Sequence, residues 1–309
     1  VGGSTAKETH RGTLTLGARL QATTINVVHE AVCPDIGPIC AVRDEPPQVH
    51  DQQFYLGELR LSADYAFFEW LSAELQVPLR LSGTTITFRR LDGTPFEPEG
   101  GDIHHRNETL FGVGDPWLSV KPSFRWKGFT AQGRVGLTLP LGRTEPNPFV
   151  LGRMGLQHQH VQFGTGTVNP LLGLQLAQRL GERVTPRLYG LAQLSLGQNQ
   201  YGYQAGSRVL SGLAVDVQVH ESLTLTATGD VLVELPERWD GVIEQDGNVG
   251  RVDVLVGAAV EWRVGGFTLS LAGRGPVYQY FFHESEDHGQ LRFPFILSLG
   301  VERAFDLLR

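Results

Sequence analysis

Arg251-Val252-Asp253-Val254-Leu255-Val256-Gly257-Ala258-Ala259-Val260-Glu261-Trp262-Arg263 is the stretch whose reading decides the fold. In an extended chain Val252, Val254, Val256, Ala258, Val260 and Trp262 fall on one face. Arg251, Asp253, Leu255, Gly257, Ala259, Glu261 and Arg263 fall on the other. A side-chain period of two is that of a β-strand. So long an apolar face, backed by charge, suits a strand with lipid outside it and water or a polar filling inside. Soluble antiparallel strands alternate as well, but usually for about five or six residues.

The same alternation recurs along the chain. It runs through Leu14, Leu16, Ala18, Leu20 and Ala22, then Tyr55 to Ala63, Leu71 to Leu81, Leu118 to Trp126 and Phe129 to Leu141. It resumes at Leu172 to Leu176, Leu188 to Leu196, Val209 to Val217, Leu223 to Val233, Phe267 to Val277 and Leu291 to Val301. With the quoted stretch this makes about twelve strands, an even number, as closed bacterial barrels have. Connections alternate between short turns, such as Lys127-Gly128 and Gly265-Gly266, and long loops. The long ones lie near residues 30–52, 83–109, 142–168, 197–207, 236–250 and 283–290. A soluble β-sandwich has no reason to gather its long loops at one end. The expectation is all-β: one domain over residues 1–309, an antiparallel up-and-down barrel in the outer membrane of a Gram-negative bacterium. Long loops then face outward, and the short turns and both termini face the periplasm.

Composition is consistent with this. Among 309 residues there are 38 glycines, above the usual ~7% and suited to many turns and close strand packing. No apolar run reaches the ~18 residues of a membrane helix. A barrel needs none, because half of each strand is polar. A secreted barrel requires an export signal, and Val1-Gly2-Gly3-Ser4 has neither a basic nor an apolar character, so the chain reads as a processed form. The net charge of −7 argues against nucleic acid as a partner. Tyr65, Phe67, Phe68, Trp70, Trp126, Phe129, Trp262 and Phe267 lie at or beside short turns, where a girdle at headgroup depth would place them. Aromatics closing hairpin ends of a soluble fold are the alternative. The last strand ends on Phe305, similar to a terminal insertion signal, although Asp306 to Arg309 follow it.

Cys33 and Cys40 flank a segment rich in turn formers, Pro34 to Ile39. In an oxidising compartment a disulfide stapling an outer loop is the simplest reading. A metal pair is the alternative, though this spacing is not that of a zinc knuckle. His104-His105, His158-Gln159-His160, and His283 with His288 also gather in outer loops. Imidazole is a common metal ligand, yet solvated loop histidines are the simpler reading because no strong spacing repeats, and no metal or other cofactor is expected. No phosphate loop, dinucleotide fingerprint or nucleophile elbow is present. His220-Glu221-Ser222 falls on a short turn and reads as a polar turn, so no enzyme is expected.

The inner face is the chemical surface. Both signs of charge occur on it, and unpaired burial of a charge costs several kcal/mol. Either these groups line a water-filled path and set its selectivity, or they form cross-lumen pairs that fill the barrel. Seven stand out as selectivity residues: Arg80, Lys121, Arg125, Arg134, Glu234, Asp253 and Glu261. Arg80, Arg125 and Arg134 fall on adjacent strands and would form one basic ladder, with the three acids across the bore. The function this suggests is passage of a small solute through an outer-membrane, porin-like barrel. Its competitor is a structural anchor, or the membrane subunit of a surface complex with other surface or periplasmic proteins. Outer-membrane lipid and lipopolysaccharide surround the barrel in both cases.

Three short motifs add a resemblance. Phe111-Gly112-Val113-Gly114-Asp115-Pro116 opens a strand, and Leu139-Pro140-Leu141-Gly142 closes the next. Gly164-Thr165-Gly166-Thr167-Val168-Asn169-Pro170 leads into the sixth. With these the chain resembles the outer-membrane "transporter" family assigned to the MetA pathway of phenol degradation, over residues 55–180. Leu141 stands where that family usually has threonine, and Asn169 where it usually has aspartate. The resemblance implies a barrel with a transport role and supplies no established substrate.

Overall fold

The computed structural model describes residues 10–31, 48–97, 106–245, 247–283 and 291–308. Three long strands come first: β1 (Thr13–Ala31), β2 (Gln48–Phe68) and β3 (Leu71–Arg90). A two-residue strand β4 (Pro95–Phe96) folds back on the tip of β3. β5 (Glu108–Val113) and β6 (Trp117–Trp126) both pair with β3 and act as one broken strand. Then come β7 (Phe129–Thr138), the helix α1 (Pro148–Arg153), β8 (Pro170–Gln178) and β9 (Val184–Gln193). The chain continues through β10 (Tyr203–Gln204), β11 (Arg208–His220), β12 (Leu223–Glu234) and β13 (Arg238–Trp239). It ends in β14 (Arg251–Val264), β15 (Phe267–Phe281) and β16 (Ile296–Asp306).

Each wall strand pairs antiparallel with its neighbour in sequence, and β16 returns to β1 from Thr13↔Asp306 to Ala22↔Leu297. This closes a barrel of 12 strands. Closure removes every free edge, and in hydrocarbon each unpaired backbone group would cost several kcal/mol. The short turns follow local chemistry. Lys127 and Gly128 both have positive φ, as do Gly265 and Gly266, the backbone of a two-residue hairpin turn matched to strand twist.

Polarity is inverted relative to a soluble protein. The buried set includes Asp216, Asp230 and Asp253, while Leu174, Leu213, Val256 and Leu271 are more than half exposed. The quoted stretch behaves as its alternation predicts: Val256, Ala258, Val260 and Trp262 are exposed on the outer face, and Asp253 and Leu255 are buried inside. Phe67, Phe68, Trp70, Trp126, Trp262 and Phe267 are exposed at the short-turn end, with Phe68 and Trp70 stacked at 5.4 Å. An apolar belt edged by rings is the surface that lipid requires.

Several element ends differ from the sequence expectation. β1 runs on to Ala31 rather than stopping near Ala22, and β3 runs on to Arg90, so the loops near 30–52 and 83–109 are shorter than expected. Alternation fails as a guide there because apolar side chains appear on the inner side: Ile25, Val27 and Ile86 point inward and are buried, beside the buried polar Gln48, His50 and Gln52 of β2. β16 starts at Ile296, so Leu291, Phe293 and Phe295 are not on it. Phe293 is buried in a cluster with Ile25, Val27 and Leu255, packed against Phe54, Leu56 and Ile296. The loop near 142–168 holds α1, which no apolar periodicity announced.

Candidate functional site: the lumen and its inward loop

Inward side chains of β2, β3, β6 and β7 form the first charged group. Lys121 pairs with Asp64 and lies 3.3 Å from Glu74, and Arg134 reaches Glu74 at 2.5 Å. Nearer the outer end, Glu58 accepts from both Arg60 (2.5 Å) and Arg80 (3.0 Å). Arg60 also donates to Gln76 at 3.2 Å and lies 4.3 Å over the ring of Trp117. Across the bore, Arg187 grips Asp216 in a two-pronged contact at 2.6 and 2.8 Å, and Thr226 donates to the same carboxylate at 2.8 Å. Asp230 accepts from the Tyr189 hydroxyl and pairs with Arg274 at 3.4 Å. Forked arginine–carboxylate contacts of this kind are the stronger class of ion pair. Deleting one partner would leave the other charge buried and uncompensated.

Between the two groups the bore keeps a cavity of about 450 Å³. Its wall includes Arg19, Arg60, Glu74, Trp117, Arg134 and Glu302. A smaller pocket adjoins it toward β12, β14 and β15, and Arg19, Gln21 and Glu302 line both.

The segment 139–169 turns into the barrel. At Gly114-Asp115-Pro116 the broken strand has three residues against Val77 and Pro78, since Val113 pairs with Leu79 and Trp117 with Gln76. This bulge aims the buried Asp115 carboxylate at the loop. One oxygen accepts from Gly142 N–H at 2.9 Å, the other from the N–H and hydroxyl of Thr165, both at 2.7 Å. Held there, the loop seats Phe163 against the inner face of the wall. Phe163 is 2% exposed, and Arg80 donates to its carbonyl at 2.8 Å. A Cβ on Gly112 would lie only 2.6 Å from the Phe163 ring, so glycine is what lets the loop approach. Gly142 and Gly164 cross at a similar closeness.

Above this point three loops interlock as a canopy. Trp239 of β13 is 2% exposed and packs against Tyr203 of β10 (4.8 Å) and Phe149 of α1 (6.1 Å). Asn147 caps α1 and donates to Asp240 at 3.0 Å, and Asn199 donates to the Thr165 carbonyl at 3.2 Å. Trp239 Nε1 donates to Glu237 at 3.2 Å. Burial pushes the Glu237 carboxyl above its ordinary range, and it pushes the Tyr203 phenol up as well.

The seven residues expected from the sequence to set selectivity are distributed as follows. Arg80 lies beside the inward loop and Lys121 and Arg134 around Glu74, whereas Arg125 is exposed one residue from the end of β6. The expected basic ladder is therefore absent: Glu58 and Glu74 intervene, and Arg125 stands at the short-turn rim. Glu234 and Asp253 sit at the outer ends of β12 and β14, held by Arg208 (2.7 Å) and Arg251 (2.7 Å). Glu261 lies near the opposite end of β14, 3.6 Å from Arg263, so the three acids do not face one level of the bore. Cys33, Cys40, His104, His105 and His288 lie outside the described residues. His158 and His160 sit in the inward loop with ring centres 5.2 Å apart, and His160 packs edge-on against Phe149. Among the described residues no cluster is arranged to hold a metal ion. His220 Nδ1 contacts the Ser222 hydroxyl at 2.9 Å within a short turn. Sequence reasoning missed Asp115, Phe163 and Trp239 as site residues. The glycines around Asp115 were the available signal, since close backbone approach needs them.

Among solved structures, an outer membrane channel from Pseudomonas putida F1 is similar across 98% of this chain and 99% of its own, with TM-score 0.62 and 14% identity. This is an outer-membrane β-barrel. Lower similarity is found to a TodX monoaromatic hydrocarbon channel mutant (TM-score 0.47, 10% identity, 96% and 91% covered). The NanC porin follows (TM-score 0.43, 7% identity, 91% and 98% covered). At such identities the likeness is one of fold. No family model matches the chain, and no curated relative matches it.

Proposed function

We propose that the barrel passes a small solute across the outer membrane, passively or with weak selectivity. The observation that carries this reading is the cavity of about 450 Å³ in mid-bore, walled by charged side chains and overhung by the loop that Asp115 pins. A narrow, hydrated, charged passage discriminates solutes by size and by field. Arg80, Lys121, Arg125, Arg134, Glu234, Asp253 and Glu261 tune that field, most of them as members of ion pairs. The transport role implied by the resemblance to the phenol-pathway family agrees with it. In the same domain Cys33 and Cys40 are expected to be joined as a disulfide that closes an outer loop.

Planar-bilayer recording tests the reading. The expected result is discrete conductance, with Arg125→Ala/Arg134→Ala shifted toward cations because Glu74 loses a counter-charge. Absence of any conductance across ionic conditions would support the anchor, which the interlocked outer loops also suit. Unchanged reversal potentials in a conducting double mutant would make those arginines purely structural. Non-reducing mass spectrometry of fresh material tests the disulfide, and two free thiols would refute it.

A further inference from the structure

Resting on the passage reading, we propose that Arg19 is the solute-binding cation of the lumen, and that it takes the carboxylate of a small monoanion. The lumen cations just described each have a carboxylate within ion-pair distance: Arg60 and Arg80 share Glu58, Arg134 holds Glu74, Arg187 holds Asp216 and Arg274 holds Asp230. Arg19 is different. Among the described residues it makes no hydrogen bond and no ion pair, although it borders both cavities. Its cross-strand partner on β2 is another cation, Arg60, and on β16 it is Gly300, which has no side chain. Arg19 Nε lies at ordinary van der Waals distance, 3.7 Å, from where a Cβ on Gly300 would stand, so that strand offers the guanidinium no polar side chain directly opposite.

Like charges directly opposite on neighbouring strands repel. The arrangement is relieved when an anion enters between them, and a planar guanidinium fork fits a carboxylate with two parallel N–H···O bonds. The acids Glu302 and Glu261 are close enough to act on Arg19, as are Arg60 and Arg274. They already offset part of the charge of Arg19, so one added negative charge meets less repulsion there than two. A monocarboxylate is therefore favoured over sulfate or a phosphate dianion.

Reversal potentials in sodium acetate and sodium sulfate gradients provide the test. The wild-type barrel is expected to admit acetate better than sulfate, and Arg19→Gln to lower the acetate-to-sodium permeability ratio about threefold, the effect of one solvated charge. Arg19→Lys keeps the charge and should retain most of the preference. A conducting Arg19→Gln barrel with the wild-type ratio overturns the proposal. A barrel that never conducts refutes the passage reading alone, and iodide quenching then reads the site in detergent. The Trp117 signal, taken as wild type minus Trp117→Phe, should be quenched more by iodide than by caesium. That excess should fall about threefold in Arg19→Gln and be relieved by acetate. Equal iodide quenching with and without Arg19 refutes the anion site.

Discussion

The wall made by β1, β2 and β3 stands about twice as tall as the wall made by β7, β8 and β9. The first strands have 19, 21 and 20 residues, the second 10, 9 and 10. A membrane needs about 9 to 11 residues per tilted strand, so the short wall is all membrane. The tall wall's surplus of about ten residues adds about 30 Å along the strand. Along that surplus the outer face turns largely polar and the inner face gains apolar side chains. Below, Leu61, Leu75 and Leu81 look outward and Arg60, Glu74 and Arg80 inward. Above, Asn26, Thr85 and Thr87 are exposed outside, while Ile25, Val27 and Ile86 are buried inside. This partial inversion, with Val28 still exposed outside and Gln48, His50 and Gln52 buried inside, falls where the outer solvent changes from lipid to water. The tall wall's top packs Ile25 and Val27 against Leu255 of β14 and Phe293; the short wall is covered by loops fastened through Trp239 and Asp115.

The largest effect is expected where the short wall depends on its canopy. Trp239→Ala should cost about 3–5 kcal/mol of local stability, as for other large buried aromatics. Hydrogen exchange should show segments 139–169, 194–207 and 235–250 deprotected together, with the upper halves of β1 to β3 unchanged. Deprotection spreading into β2 would mean that the two walls are one cooperative unit.

A charge placed on each outer face sharpens the contrast. Leu174→Arg, at the middle of β8, should destabilise by about 2–4 kcal/mol in a lipid-folding titration. Asn26→Arg, above the inversion, should stay within about 0.5 kcal/mol. Equal penalties would place lipid against the tall wall's top.

Asp115→Asn should be milder, about 1–3 kcal/mol, because it weakens three hydrogen bonds to one buried carboxylate. Protease cleavage within 142–168 should accelerate while strand content by circular dichroism holds.

The smallest effect is a pH dependence. Glu237 has its folded pKa raised by burial, so it favours its neutral form in the canopy. Glu234, also acting on it, raises the value further, while Arg208 and the bonds from Trp239 and the backbone lower it. A raised folded value means that the stabilisation is full below the ordinary carboxylate range and is lost as pH rises through the folded pKa. Canopy exchange, corrected for the intrinsic rate, should therefore be slower at acidic than at alkaline pH. Glu237→Gln should flatten the dependence.

The sequence by itself determined the barrel, the faces of its strands within the membrane, and which ends carry long loops. These follow from local rules, a period of two and turn chemistry such as Lys127-Gly128, and lipid enforces them on every strand alike. Alternation stopped being informative at Ala22 because Ile25 and Val27 answer to a different solvent arrangement than Leu16 and Leu20. The lumen was half legible. Which side chains point inward follows from parity, but which carboxylate each cation meets depends on stagger between strands and on distant loops. Arg80 and Arg134 read as one ladder in sequence, yet the β2–β3 register sets Glu58 opposite Arg80, and Glu74 of β3 reaches Arg134 of β7. Arg19 reads as one inward arginine among many, and only the register that puts it opposite Arg60 and Gly300 leaves it without a carboxylate directly across from it. Pairing within the bore is a property of the closed surface, because Coulomb energy depends on separation in space and not along the chain.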